Sequence, residues 1–173
     1  MQKSAMLYYQ PDADRFVGDC TPFWHDGVFH VFYLLDQGHH QGNGGLGGHT
    51  WAHVTTRDLR QWEHHPPAIG LNEPWEGSIC TGSMIHHAGA FHAYYATRKT
   101  DHTQHLSHAV STDGIHFTKT TPNPFSSAPA GYGTKDFRDP FAFADQEGVM
   151  NLLVTSRIED PPLHDRGGTE TRL

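Results

Sequence analysis

Between residues 23 and 33, aromatic and aliphatic side chains recur at alternate positions on either side of Asp26-Gly27, as in two half-buried strands joined by a tight turn. The pattern returns at residues 84–95, where Gly89, Phe91, His92 and Tyr95 stand 62 positions after Gly27, Phe29, His30 and Tyr33. A weaker third copy covers residues 141–154, with Gly148 lying 59 residues after Gly89. A second kind of hairpin follows the first two copies, because residues 53–62 match residues 108–117 at an offset of 55. In it Asp58 and Asp113 are placed to bond their own backbone at the turn, and Trp62 and Phe117 return to pack between units. Four strands per unit follow, and a period of 55 to 62 residues built this way is the signature of propeller blades.

The spacing predicts an all-β chain with units at about 17–76, 77–135 and 136–173. The expected architecture is a five-bladed β-propeller of which about two and a half blades are present, since five blades of this period need about 300 residues. A propeller removes its sheet edges by closing, so the open edges of such a portion are expected to associate with further blades or with a second copy.

Composition narrows the picture. The 18 Gly and 11 Pro favour short strands and turns over helices. A net charge of -7 with no basic stripe argues against a nucleic-acid partner. No run approaches the roughly 20 apolar residues of a membrane span. Residues 1–8 lack the apolar centre of a signal peptide, which makes a cytoplasmic location the default, with secretion the alternative if the N-terminus is incomplete. Cys20 and Cys80 are too few for a disulfide framework or a four-cysteine zinc site and are expected as reduced thiols. Among the 16 His, the doublets His39-His40, His64-His65 and His86-His87 fit no zinc-ligand spacing, and neighbours on a strand face opposite sides. Neither a metal nor any other cofactor is expected.

Corresponding positions on the innermost strands of a propeller face one another across a central funnel. Counting back from the hairpin glycines, Asp19 stands 8 before Gly27, Thr81 stands 8 before Gly89, and Asp139 stands 9 before Gly148. Two carboxylates and a hydroxyl are therefore expected in one pocket. Paired carboxylates in a concave, aromatic-rimmed site are what glycoside hydrolysis requires. The plainer reading is that both Asp residues cap the starts of strands.

The residues also carry a resemblance. Gly18-Asp19-Cys20-Thr21-Pro22-Phe23-Trp24, followed by Asp26-Gly27, Phe29-His30 and Phe32-Tyr33, resembles the nucleophile segment of glycoside hydrolase family 32, the family of invertases, levanases and inulinases. Trp51-Ala52-His53-Val54 with Asp58-Leu59 and Trp62-Glu63 is similar to the family's Trp-Gly-His segment. Thr81-Gly82-Ser83 looks like its Phe-Ser-Gly-Ser segment, and Phe137-Arg138-Asp139-Pro140 matches its Arg-Asp-Pro motif. The resemblance implies a retaining β-fructofuranosidase acting on fructosides such as sucrose, levan or inulin. In that scheme Asp19 is the nucleophile and Asp139 the transition-state stabiliser, with Arg138 beside it. Trp51 and Trp75 would form the wall on which an apolar sugar face stacks, and Thr81 and Ser83 would supply hydroxyls to the funnel.

Three departures stand out. Gly18 occupies the place of the family's Asn beside the nucleophile, and Leu34 that of the Gln after the Phe-Tyr pair, so two hydrogen bonds to the sugar are absent. The family's Glu-Cys-Pro motif, which carries the general acid, does not occur, and Glu159 is the nearest candidate by composition. The chain alone is therefore expected to be catalytically incompetent. The competing expectations are a family 43-like arabinan or xylan hydrolase, which shares the propeller, and a non-catalytic carbohydrate-binding propeller segment.

Overall fold

The computed structural model of the protein describes residues 17–35 and 48–159. Residues 1–8, His39-His40 and the part of the third unit from 160 to 173, all of which enter the sequence reading, lie outside the described residues. Among the described residues every regular element is a strand.

β1 (Val17–His25) and β2 (Val28–Leu35) form an antiparallel hairpin closed by Asp26-Gly27, with φ values of 45° and 76°. Two successive positive φ values match the twist of the flanking strands, and Asp-Gly supplies them at little cost. β3 (Thr50–Thr56) and β4 (Glu63–Ile69) complete a four-stranded sheet in the order β1-β2-β3-β4. The second sheet repeats the plan: β5 (Glu76–His87) and β6 (Ala90–Lys99) turn through Ala88-Gly89, followed by β7 (Gln104–Ser111). Its outermost strand is split into β8 (Thr118–Lys119) and β9 (Ser126–Ser127), both pairing with β7. Pro122 and Pro124 lie between the two pieces and lack the N–H groups that a continuous ladder would use. Asn123 compensates in part, its Oδ1 accepting the His108 N–H at 3.0 Å. β10 (Arg138–Ala144) and β11 (Met150–Thr155) form a two-stranded third sheet.

The outer turns form as their sequence requires. Asp58 Oδ1 accepts the N–H groups of Arg60 and Gln61, and Asp113 Oδ1 those of Ile115 and His116, at 2.8 to 2.9 Å. The first and second sheets share one apolar core, in which Phe32, Leu34, Trp51 and Ile69 meet Ile79, Met84, Phe91 and Tyr95. Phe117 enters it from the second sheet, edge-on to Phe32 with ring centres 5.7 Å apart. At its rim Lys119 Nζ bonds the buried carboxylate of Glu76, 2.7 Å from Oε2, and the Gly70 carbonyl at 2.8 Å.

Each innermost strand carries an irregularity at the same place. The ladder skips from Val17↔Leu35 to Cys20↔Tyr33, from Ile79↔Thr97 to Gly82↔Tyr95, and from Arg138↔Thr155 to Phe141↔Leu153. In every case two residues on the inner strand face one on its partner, which is a β-bulge. The bulged pairs are Gly18-Asp19, Cys80-Thr81 and Asp139-Pro140. Asp19 and Thr81 thus occupy one bulge position, whereas Asp139 takes the earlier one, shared with Gly18 and Cys80. Immediately after the second bulge the backbone of β6 comes so close that a Cβ on Gly82 would lie 2.0 Å from the Tyr94 carbonyl oxygen.

The histidines have a structural use. His30 Nδ1 lies 3.0 Å from His53 Nε2, and His92 Nδ1 lies 3.1 Å from His108 Nε2, a diagonal pair repeated in both sheets. Phe32 stacks on His53 and Tyr94 on His108, with ring centres 4.1 and 4.4 Å apart. A hydrogen bond between two imidazoles requires at least one to be neutral. The charged neighbours of the first pair are themselves imidazoles, His65 and His25. Around the second pair they are His87 and His86. Burial first, then His65 and its partner His30, holds His53 down to about 3, and burial with His92 holds His108 down to about 4. Among the described residues no three His, Cys, Asp or Glu side chains are arranged to hold a metal ion.

Two outcomes are expected. The unfolded chain binds protons at these imidazoles from about pH 6.5 downward while the fold does not, so stability is full above that pH and is lost as pH falls towards 4. Protonating His53 within the fold costs on the order of 5 kcal/mol. The midpoint of urea unfolding should decline steadily between pH 6.5 and 4.5, above the range in which the low-titrating Asp113 contributes, and a flat profile would contradict this. Separately, Gly82→Ala should destabilise the protein by about 3 kcal/mol, because backbone cannot yield as a side chain does. Calorimetry measures that loss.

Candidate active site

The bulges determine what the site contains. A bulge re-aims side chains that a regular strand would alternate. Asp19 projects from an exposed stretch of β1, and Thr81 donates its hydroxyl proton to Asp19 Oδ2 at 2.6 Å. Two positions on, Thr21 donates to the carbonyl of Gly82 at 3.0 Å, so β1 and β5 are tied bulge to bulge. Asp139 is half-buried and has φ 53°, a left-handed conformation that a short polar side chain tolerates better than most. Its carboxyl is raised above the ordinary value, mainly by desolvation and further by the negative charge of Asp19, while Arg138 opposes the shift. Arg138 Nε lies 3.6 Å from Asp139 Oδ2, but both side chains are substantially exposed and the pairing is weak. Asp19 is thus near enough for its charge to act on Asp139.

The other candidates fare differently. Trp51 is 1% exposed, with its ring between Phe32 and Tyr95 at 6.0 and 5.9 Å, so it cannot offer a face to a sugar and is a core residue. Its indole N–H donates to the Cys80 carbonyl at 2.9 Å. Ser83 is also buried, and its Oγ accepts the Ala142 N–H at 2.8 Å, joining the second sheet to the third instead of supplying a hydroxyl to a funnel. Trp75 is partly exposed just ahead of β5, under the ammonium of Lys99 at 6.0 Å. Glu159 is exposed and donates its backbone N–H to the Gly131 carbonyl at 2.9 Å.

Sequence reasoning assigned Thr21 no role at the site, and Cys20 and Cys80 none beyond that of reduced thiols. Desolvation, then the charge on Asp19, raises the Cys20 thiol; burial above all raises Cys80, with Asp139 adding to it. Both sulfurs therefore stay protonated near neutrality and are poor nucleophiles. Repetition of the bulge pair across the copies is the signal that would have pointed to Cys80. Replacing Asp19 with Asn should move the Asp139 titration to lower pH, because a like charge is removed. The carboxyl carbon of Asp139, followed by NMR as pH is varied, reads this directly; an unmoved midpoint would separate the two groups.

Residues 13–162 match the family described as Glycosyl hydrolases family 32 N-terminal domain. An acid beta-fructofuranosidase of Vigna radiata var. radiata is 28% identical over 161 residues, covering 88% of this chain and 24% of that protein. The vacuolar acid beta-fructofuranosidase 2 of a Rosa hybrid cultivar is 26% identical, with 88% and 24% covered, and its name departs from the cytoplasmic default read from the first residues. Among solved structures, a variant of fructan 1-exohydrolase IIa from Cichorium intybus in complex with 1-kestose superposes with a TM-score of 0.69 at 25% identity, covering 80% of this chain and 27% of that one. The chain spans about a quarter of the length of these curated relatives. The all-β sheets are those of part of a five-bladed propeller, and the match decides between the two hydrolase families: this chain belongs to glycosyl hydrolase family 32.

Proposed function

We propose that the chain carries the nucleophile and the stabilising carboxylate of a retaining β-fructofuranosidase acting on fructosides such as sucrose, levan or inulin. The observations that support this reading are the Thr81 hydroxyl bonded to Asp19 and the charge of Asp19 acting on Asp139, with each carboxylate in a strand bulge. An Asp19 oxygen attacks the anomeric carbon of the fructosyl unit as the bond to the leaving oxygen breaks, giving a fructosyl ester that water then hydrolyses. Asp139 stabilises the positive charge that builds up on the ring in between and binds sugar hydroxyls, and Arg138 lies alongside it.

Protonation of the leaving oxygen needs a further acid. Glu159 is a poor choice, because it is exposed and follows β11 so closely. The exposed apolar residues Trp24 and Leu59 on the first sheet, and Phe141 and Leu153 on the third, are suited to being covered by further blades or, in the isolated chain, by a second copy.

The purified chain should bind 1-kestose and sucrose without hydrolysing them. Asp139→Asn should weaken that binding roughly tenfold, as expected for losing a charge-assisted hydrogen bond. Isothermal titration with each sugar, together with assay of released fructose, makes the test. No binding by the unmodified chain would refute the site, and turnover of sucrose abolished by Asp19→Asn would refute the need for an acid from elsewhere.

A further inference from the structure

We infer that Trp51 is a positioning residue for Asp19: its indole N–H holds the bulge of β5 in the orientation that aims the Thr81 hydroxyl at the Asp19 carboxylate. The inference rests on the reading of Asp19 as the working carboxylate.

Cys80 and Thr81 lie where the β5–β6 ladder skips a position. Ladder pairing therefore does not set the direction of the peptide between them. Trp51, from the neighbouring sheet, takes the Cys80 carbonyl at 2.9 Å. That carbonyl and the Thr81 N–H belong to one planar unit, so fixing the first fixes the second. Thr81 is β-branched and stiff at χ1, so a fixed backbone also directs its hydroxyl, which reaches Asp19 Oδ2 at 2.6 Å.

Trp51 is itself held firmly. It is 1% exposed, lies between Phe32 and Tyr95, and pairs in register with Leu34. Leu34 in turn lies against Gly18, where an added Cβ would stand 3.0 Å from the Leu34 Cβ. The contacts leave Trp51 in two directions, through Cys80 and Thr81 and through Leu34 and Gly18, and both arrive at Asp19. A buried indole needs some acceptor, but packing alone would be served by any carbonyl. The one it takes sits in the bulge next to the hydroxyl that bonds Asp19.

Trp51→Phe keeps an aromatic ring and removes the donor. Should that variant fold poorly, a sulfur isostere of tryptophan, 3-benzothienylalanine, placed site-specifically at position 51, removes the N–H without changing the shape. In the ligand-free protein either change should shift the Asp19 carboxyl carbon resonance in the same direction as Thr81→Val does, and combining it with Thr81→Val should add nothing. Affinity for 1-kestose should fall about tenfold in each single variant and no further in the pair. An unmoved Asp19 resonance in a folded variant would overturn the inference, as would effects that add in the double variant. The resonance is read without sugar, so a chain that binds no fructoside would refute the proposed activity and leave this test standing.

Discussion

The constraint on which this structure turns is that a strand with one residue too many must still satisfy its backbone. Each innermost strand carries such a bulge, and at each the polar groups released from the ladder must find partners elsewhere. One such partner comes from the neighbouring sheet, where Trp51 takes the Cys80 carbonyl; just past the bulge, Thr21 takes that of Gly82. The third sheet is attached in a similar way, through the Ala142 N–H and Ser83. One local defect, repeated, both joins the sheets and turns acidic and hydroxyl side chains toward a common surface. The apolar core behind it supplies the rigidity that keeps those side chains in place.

The repeat of glycines and aromatics made the hairpins, their turns and the all-β class legible, because turn chemistry and alternation are local properties of a sequence. The meeting of Asp19 with Thr81 was legible too, since it needed only equivalence between copies. Side-chain direction beyond the bulges was not. An extra residue reverses which face the following positions occupy, so Ser83, two positions past Thr81, lies buried against the third sheet. Trp51 misled for a different reason. An aromatic residue near a sugar site looks like a stacking platform, and nothing local reveals that a neighbouring sheet will cover it. The split fourth strand of the second sheet followed from Pro122 and Pro124, whose effect depends on the edge they sit on.

Electrostatics gives the site its character. Asp139 and Asp19 carry like charges close enough to interact, and the cation that acts on Asp139 among the described residues, Arg138, is too exposed to neutralise the region. Such an arrangement favours an occupant in which positive charge develops between the carboxylates, and it disfavours anions. The thiols nearby, held protonated by burial, add bulk without adding charge. The imidazole pairs serve the scaffold, filling the inner faces as flat rings that stack and bond only while one of each pair is neutral.

The close approach of Gly18 to Leu34 has an evolutionary reading. With a Cβ at position 18 meeting the Leu34 Cβ at 3.0 Å, a larger residue at 18 is accommodated only if the two strands part slightly, because every residue but glycine keeps a Cβ at 34. The glycine is therefore tied to the spacing of the two strands beside Asp19 and not to the side chain that residue 34 carries. Descendants that gain a side chain at 18 would have to move backbone to do so, and the glycine should outlast changes of side chain at 34.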